Sequence, residues 1–194
     1  MQILEKLLGG PARLKLLRLF LFNPTTIYGA SEIVKRTTVS LPHVRRELVF
    51  LKNTGLIKRK SLSRTPARAG WALNEHFPHK DVFQEFLLSM TSLTDEDILR
   101  RLGKIGKFRF VVIGGVFIRD PEGRVDLLVV GDGVKKSSLE HAVRLMEAEL
   151  GKELRYAFFT AHDFRYRMSV YDRFIRDILD YPHRTLLDRL TIGR

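Results

Sequence analysis

His43, Arg45 and Arg46 fall close together in the segment Ser40–Asn53, and their side chains are of the types that read nucleic acid. An arginine fork can bond guanine O6 and N7 at once, and any of the three can meet a phosphate. Leu41, Val44, Leu48 and Leu51 recur at helical spacing, which predicts a helix with a buried stripe. Pro42, His43, Arg45, Arg46 and Lys52 then share the opposite face. By residue type alone that face also reads as an ordinary solvated one. Downstream, Leu56–Lys60 carries Lys58, Arg59 and Lys60 on a predicted strand, the loop 61–69 bears Arg64 and Arg68, and Trp71–Leu73 returns as a second strand. Cations on such a hairpin suit phosphate contact, which gives affinity and salt dependence more than sequence choice. Trp71 is expected to anchor the hairpin rather than to stack on a base.

A second group lies in the other half of the chain. Gly114-Gly115 ends a predicted buried strand, Phe108–Ile113, and backbone N–H groups at such a junction can cradle a phosphate. Asp126 sits on the next predicted strand, Arg124–Val130. It is a candidate metal ligand, although the stronger reading is structural: a bond to a backbone amide, or a pair with Arg124 or Arg119. Gly114, Gly115 and Asp126 are therefore the candidate positions of a vestigial nucleotide site. Asp132 in Gly-Asp-Gly reads as a turn residue. His141, His162 and His183 show no metal-ligand spacing. With no cysteine in the chain, thiolate zinc sites, disulfides and cysteine nucleophiles are all excluded. No catalytic residue, metal site or cofactor is expected.

The elements needed to hold these groups follow from punctuation and periodicity. Ala12–Phe22 is a mostly buried helix with a basic face of Arg13, Lys15 and Arg18, ended by Asn23-Pro24. A short helix near Ala30–Lys35, a turn at Thr37-Thr38-Val39 and the helix capped by Ser40 come next, with Pro42 tolerated in its first turn and Gly55 beyond its end. Asn74–His79 is a linker, followed by connecting helices Asp81–Met90 and Thr94–Leu102, the latter capped by Thr94. Ser138–Leu150 is an amphipathic helix, Glu153–Thr160 a third strand, and Asp163–Leu179 one helix with Phe164, Met168, Tyr171, Phe174, Ile175 and Ile178 inward. Its basic, aromatic set Arg165, Tyr166, Arg167, Tyr171, Arg173 and Arg176 reads as ordinary packing with a solvated face ahead of a second nucleic-acid surface.

Charge divides unevenly along the chain. Residues 1–78 hold 14 Lys/Arg against 4 Asp/Glu, so nearly all of the formal +12 lies there. Clustered cations gain free energy by releasing counterions from phosphates, which makes double-stranded DNA the expected partner. The division expected is 1–78 for DNA binding, 79–106 as connecting helices and 107–194 as a second domain. No apolar run is long enough to span a membrane, and the N-terminus lacks the features of a signal peptide. A cytoplasmic protein without a membrane partner is expected.

The order of elements from Ala12 to Asn74 resembles the ArsR/MarR-type winged helix-turn-helix transcriptional regulators. That resemblance implies duplex DNA binding by Ser40, Pro42, His43, Arg45, Arg46, Lys58, Arg59, Lys60, Arg64 and Arg68, and a homodimer spanning two half-sites. Val112–Phe117 followed by Arg124–Asp132 resembles the minimal, polymerase-β-like nucleotidyltransferases. In those enzymes a Gly-Ser pair holds phosphate, and two carboxylates one residue apart on a strand hold Mg²⁺. Here Gly115 takes the place of the serine and Arg124 that of the first carboxylate. The implied whole is an α+β protein: an N-terminal winged helix-turn-helix and a C-terminal nucleotidyltransferase-like α/β domain on a small mixed sheet, serving dimerisation, docking or the sensing of an anionic or nucleotide effector. Two other readings stay open, an active Mg²⁺-dependent nucleotidyltransferase and an RNA-binding or scaffold protein.

Overall fold

The computed structural model describes residues 2–61, 69–90, 93–120 and 122–192. Over these the chain is a mixed α+β protein with nine α-helices and two small sheets. It divides into two compact units, Met1–Leu93 with Arg144–Lys152, and Thr94–Val143 with Glu153–Arg194.

The first unit is built on α2 (Pro11–Phe22), whose residues 14 and 16–21 are all buried. A helix apolar on nearly every side has to be surrounded. α1 (Gln2–Leu7), α3 (Ala30–Thr37), α4 (Leu41–Asn53) and α5 (Lys80–Ser89) pack around it, and Phe20, Ile33, Val44, Leu48, Leu51, Leu73 and Leu87 form the shared core. Arg18 departs from the expected basic face. It is buried, and its guanidinium donates to the carbonyls of Glu149 (2.7 Å) and Met90 (3.0 Å). Burial lowers its pKa, because the charged form loses water that the two carbonyls replace only in part. Asn23 ends α2 by donating to Leu19 O. β1 (Ile57–Ser61) and β2 (Ala69–Leu73) form an antiparallel hairpin in which Arg59 faces Trp71, and Tyr28 adds a bridge to Trp71.

The second unit is a four-stranded sheet in the order β5-β4-β3-β6. Its strands are β3 (Lys107–Ile113), β4 (Leu127–Asp132), β5 (Tyr156–Phe159) and β6 (Arg184–Asp188). β4 and β5 are parallel; the other two pairings are antiparallel. Phe110–Ile113 of β3 and Leu127–Val130 of β4 are unbroken apolar runs because both sheet faces are covered there. Phe110, Val112, Leu128 and Val130 pack with Phe164 of α8 (Ala161–Ser169) and with Ile175 and Ile178 of α9 (Arg173–Asp180). Val111, Ile113, Leu127 and Val129 are buried on the other face. α6 (Asp95–Gly103), with a Thr94–Asp97 capping box, packs on β3, and α7 (Lys136–Leu150) links β4 to β5.

Several expectations change. The single helix Asp163–Leu179 is two helices, broken at Val170–Asp172, where Tyr171 has φ +54° and Asp172 caps the new helix through the amides of Phe174 and Ile175. Tyr171 and Phe174, expected inward, are exposed as a result. The second and third strands start later than predicted, at Leu127 and Tyr156, and α1 and β6 were not anticipated. No described helix is long and apolar enough to cross a membrane.

Candidate nucleic-acid interface

The turn before α4 is fixed from both sides. Thr38 takes a left-handed conformation with φ +56°, and its amide donates to Val34 O. The buried Thr37 hydroxyl donates to Ile33 O at 2.6 Å and accepts from Val39 N. From α2, Lys15 Nζ reaches Thr38 Oγ1 at 3.1 Å. These contacts set the angle at which α4 leaves the turn.

Ser40 occupies the N-cap position, but its hydroxyl makes no bond to the amides of α4. It lies 2.7 Å from His43 Nδ1 instead. Val44, Leu48 and Leu51 are buried as the spacing required, whereas Leu41 is exposed at the helix start. Pro42, His43, Arg45, Arg46 and Lys52 are all exposed. Glu47 was not foreseen as part of the buried face, although the spacing 44, 47, 48, 51 places it there. Its carboxylate pairs with Arg13 Nε at 2.7 Å, fastening α4 to α2, and it also lies 4.0 Å from Arg46 Nε.

On the hairpin the cations separate, because alternate residues of a strand face opposite ways. Lys58 and Lys60 flank Glu75, at 3.9 and 2.6 Å. The hydrogen bond from Lys60, reinforced by the charges of Lys60 and Lys58, lowers the Glu75 pKa. On the other side Arg59 lies over the Trp71 ring, 4.3 Å from its centroid. Trp71 is half-buried against the core beneath it. Ser40, Pro42, His43, Arg45 and Arg46 are thus gathered at one end of α4, while Lys58, Arg59 and Lys60 occupy two sides of β1. Arg64 and Arg68 lie outside the described residues.

Gly114, Gly115 and Asp126 do come together, around the carboxylate. Asp126 is buried; Oδ1 accepts from Val116 N at 2.8 Å and Oδ2 from Arg155 N at 2.7 Å, and the Arg155 guanidinium adds two contacts at 3.3 Å. Its guanidinium partner is Arg155, 29 positions further along the chain, a pairing without local sequence signal. Arg124 pairs with Asp177 at 3.1 Å. Gly114 N donates to Asp126 O, and Gly115, at φ +47°, leaves no room for a Cβ against Asp126 Oδ1. Such an arrangement does not fit a pair of Mg²⁺ ions. The Arg155 guanidinium already holds the carboxylate, and Arg124, two residues before it, is paired with Asp177. Asp132, expected as a turn residue, ends β4, where it accepts from Ala161 N and pairs with Arg109 at 3.1 Å.

No family model, curated protein or solved structure matches the chain.

Proposed function

We propose that this protein is a DNA-binding transcriptional regulator whose first unit acts as a winged helix-turn-helix. In this reading α4 is the recognition helix and β1–β2 the wing. The observation that carries it is the N-terminal half of α4. His43, Arg45 and Arg46 are exposed there, next to amides that the Ser40 hydroxyl leaves uncapped, on a helix fastened by Val44, Leu48, Leu51 and the Glu47–Arg13 bond. Helix N-terminal amides carry partial positive charge and favour phosphate, which would seat the helix while the arginines reach base edges. The concentration of charge in residues 1–78 agrees with this.

The second unit, in this reading, has a nucleotidyltransferase-like sheet put to non-catalytic use. What supports that is the bonding of Asp126: a carboxylate whose two oxygens each accept from a backbone amide, with a guanidinium alongside, is a structural staple.

Mobility-shift titration of the full chain tests the proposal. Promoter DNA should bind more tightly than random duplex of equal length, and duplex DNA more tightly than duplex RNA. Arg45→Ala or Arg46→Ala should cost about 1–3 kcal/mol on the preferred site and relax its sequence choice. Equal affinity for promoter and random DNA would defeat the regulator reading, and a preference for RNA would replace it.

A further inference from the structure

A cavity of about 400 Å³ opens in the first unit, and neither Arg45 nor Arg46 lines it. Its walls come from α1, α2, the C-terminal half of α4 and α5, with Leu7, Leu8, Leu17, Phe50, Phe77 and Phe83 supplying the apolar surface. The volume lies within the range that encloses small organic ligands. Lys6 and Arg13 also line it, and no carboxylate does. Among the described residues that line it the charges are positive, with Glu47 bonded to Arg13 Nε, and this favours an apolar body with an anionic end.

Arg13 is built as the anchor for that end. Its guanidinium stacks on Phe50, 3.6 Å from the ring centroid, and Nε is held by Glu47. A Cβ at Gly9 would press on Arg13 Nη1, so only glycine lets the guanidinium lie where it does. Gly9 also has φ +89°, a backbone conformation that side chains disfavour. Stacking and the Nε bond fix the plane of the fork while leaving its terminal nitrogens outside the Glu47 bond. A planar fork held in advance suits a carboxylate better than a flexible ammonium does. Lys6, exposed on α1, adds a second positive charge to the lining.

We infer that this cavity binds an amphipathic carboxylate, with its hydrocarbon body among Leu7, Phe50, Phe77 and Phe83 and its headgroup on Arg13. The inference stands apart from DNA binding and is tested without DNA.

Calorimetry of the full chain with octanoate, octanol and octylammonium as probes compares one body with three headgroups. Octanoate should saturate a single site, octanol should bind roughly 10- to 100-fold more weakly for want of a charge-assisted bond, and octylammonium should not bind. Leu7→Glu and Lys6→Glu, both at exposed positions and so expected to leave the melting temperature unchanged, should each abolish octanoate binding by placing a carboxylate at the cavity. Octanol binding as tightly as octanoate would overturn the inference, as would octanoate binding that survives both variants. So would a failure of octanoate to bind, including the case in which Leu7→Glu converts a dimer to a monomer in sedimentation, because a second copy would then be the occupant.

Discussion

Asp126 shows how a single carboxylate can serve architecture where a reaction would have needed it free. One oxygen holds the amide that opens the turn after β3, and the other holds the chain entering β5. Removing it leaves two buried donors without an acceptor and one guanidinium without its counter-charge. Asp126→Ala should therefore cost about 2–3 kcal/mol, discounted from a fully buried ion pair because Arg155 is half-exposed. For a chain of this size that lowers the melting temperature by roughly 4–12 °C, readable by calorimetry. Gly115 makes the complementary case. If the proposed nucleotidyltransferase-like reading is followed, serine is the residue expected at this place, so Gly115→Ser looks like a restoration by sequence. In this backbone it is an injury: the residue sits at φ +47° and its Cβ would press on Asp126 Oδ1. The expected outcome is a loss of about 1–3 kcal/mol in urea unfolding with no gain of triphosphate binding. A stable Gly115→Ser variant that bound nucleotide would refute this account of the site.

Among the elements, the break between α8 and α9 is the most instructive. Residues 164, 168, 171, 175 and 178 keep a helical spacing across it, so periodicity alone joins the two helices. The signal for the break was Asp172, a good N-cap residue placed before an apolar turn, and it was outweighed by the stripe on either side. Asp172 also accepts from Arg167 at 2.8 Å, and its pKa is lowered, first by the Ile175 amide. Asp172→Ala should lower the urea midpoint through the lost cap, and Asp172→Asn, which keeps the cap, should recover most of the loss. Urea midpoints of the two variants decide this. Elements with strong local chemistry were legible: Gly55 after α4, the Thr94 cap of α6, and β3, apolar because it is central. β6 was not, since Arg184–Asp188 is a short edge strand of mixed polarity whose identity rests on pairing with β3 some 70 residues earlier in the chain. The same limit applied to the sites. The exposed face of α4 was readable from spacing, whereas the partners that position it, Arg13 on Glu47 and Glu75 between Lys58 and Lys60, are set by tertiary packing.

For the whole molecule the decisive quantity is how much of the +12 is available to phosphate. The second half of the chain is nearly balanced, and several of its arginines are paired: Arg124 with Asp177, Arg167 with Asp172, Arg176 with Asp180, Arg184 with Asp95. The first unit also spends part of its charge internally, with Arg18 buried and Arg13 on Glu47. In the proposed reading the cations offered to DNA are Arg45 and Arg46 on α4, the Lys58–Arg59–Lys60 run, and Arg64 and Arg68 by sequence. Glu75 offsets about one charge of that set, since it lies against both lysines and stays ionised at neutral pH. If about five phosphates are neutralised per chain, the logarithm of the binding constant should fall against the logarithm of salt concentration with a slope of about −4.5. Glu75→Gln should steepen the slope by about one and tighten binding to every duplex alike, because it frees lysines that meet backbone and not bases. Titrations of the full chain and of Glu75→Gln across a range of salt concentrations measure both quantities. A slope near zero would mean that these cations do not meet phosphate. An unchanged slope in the variant would place Lys58 and Lys60 away from the nucleic acid.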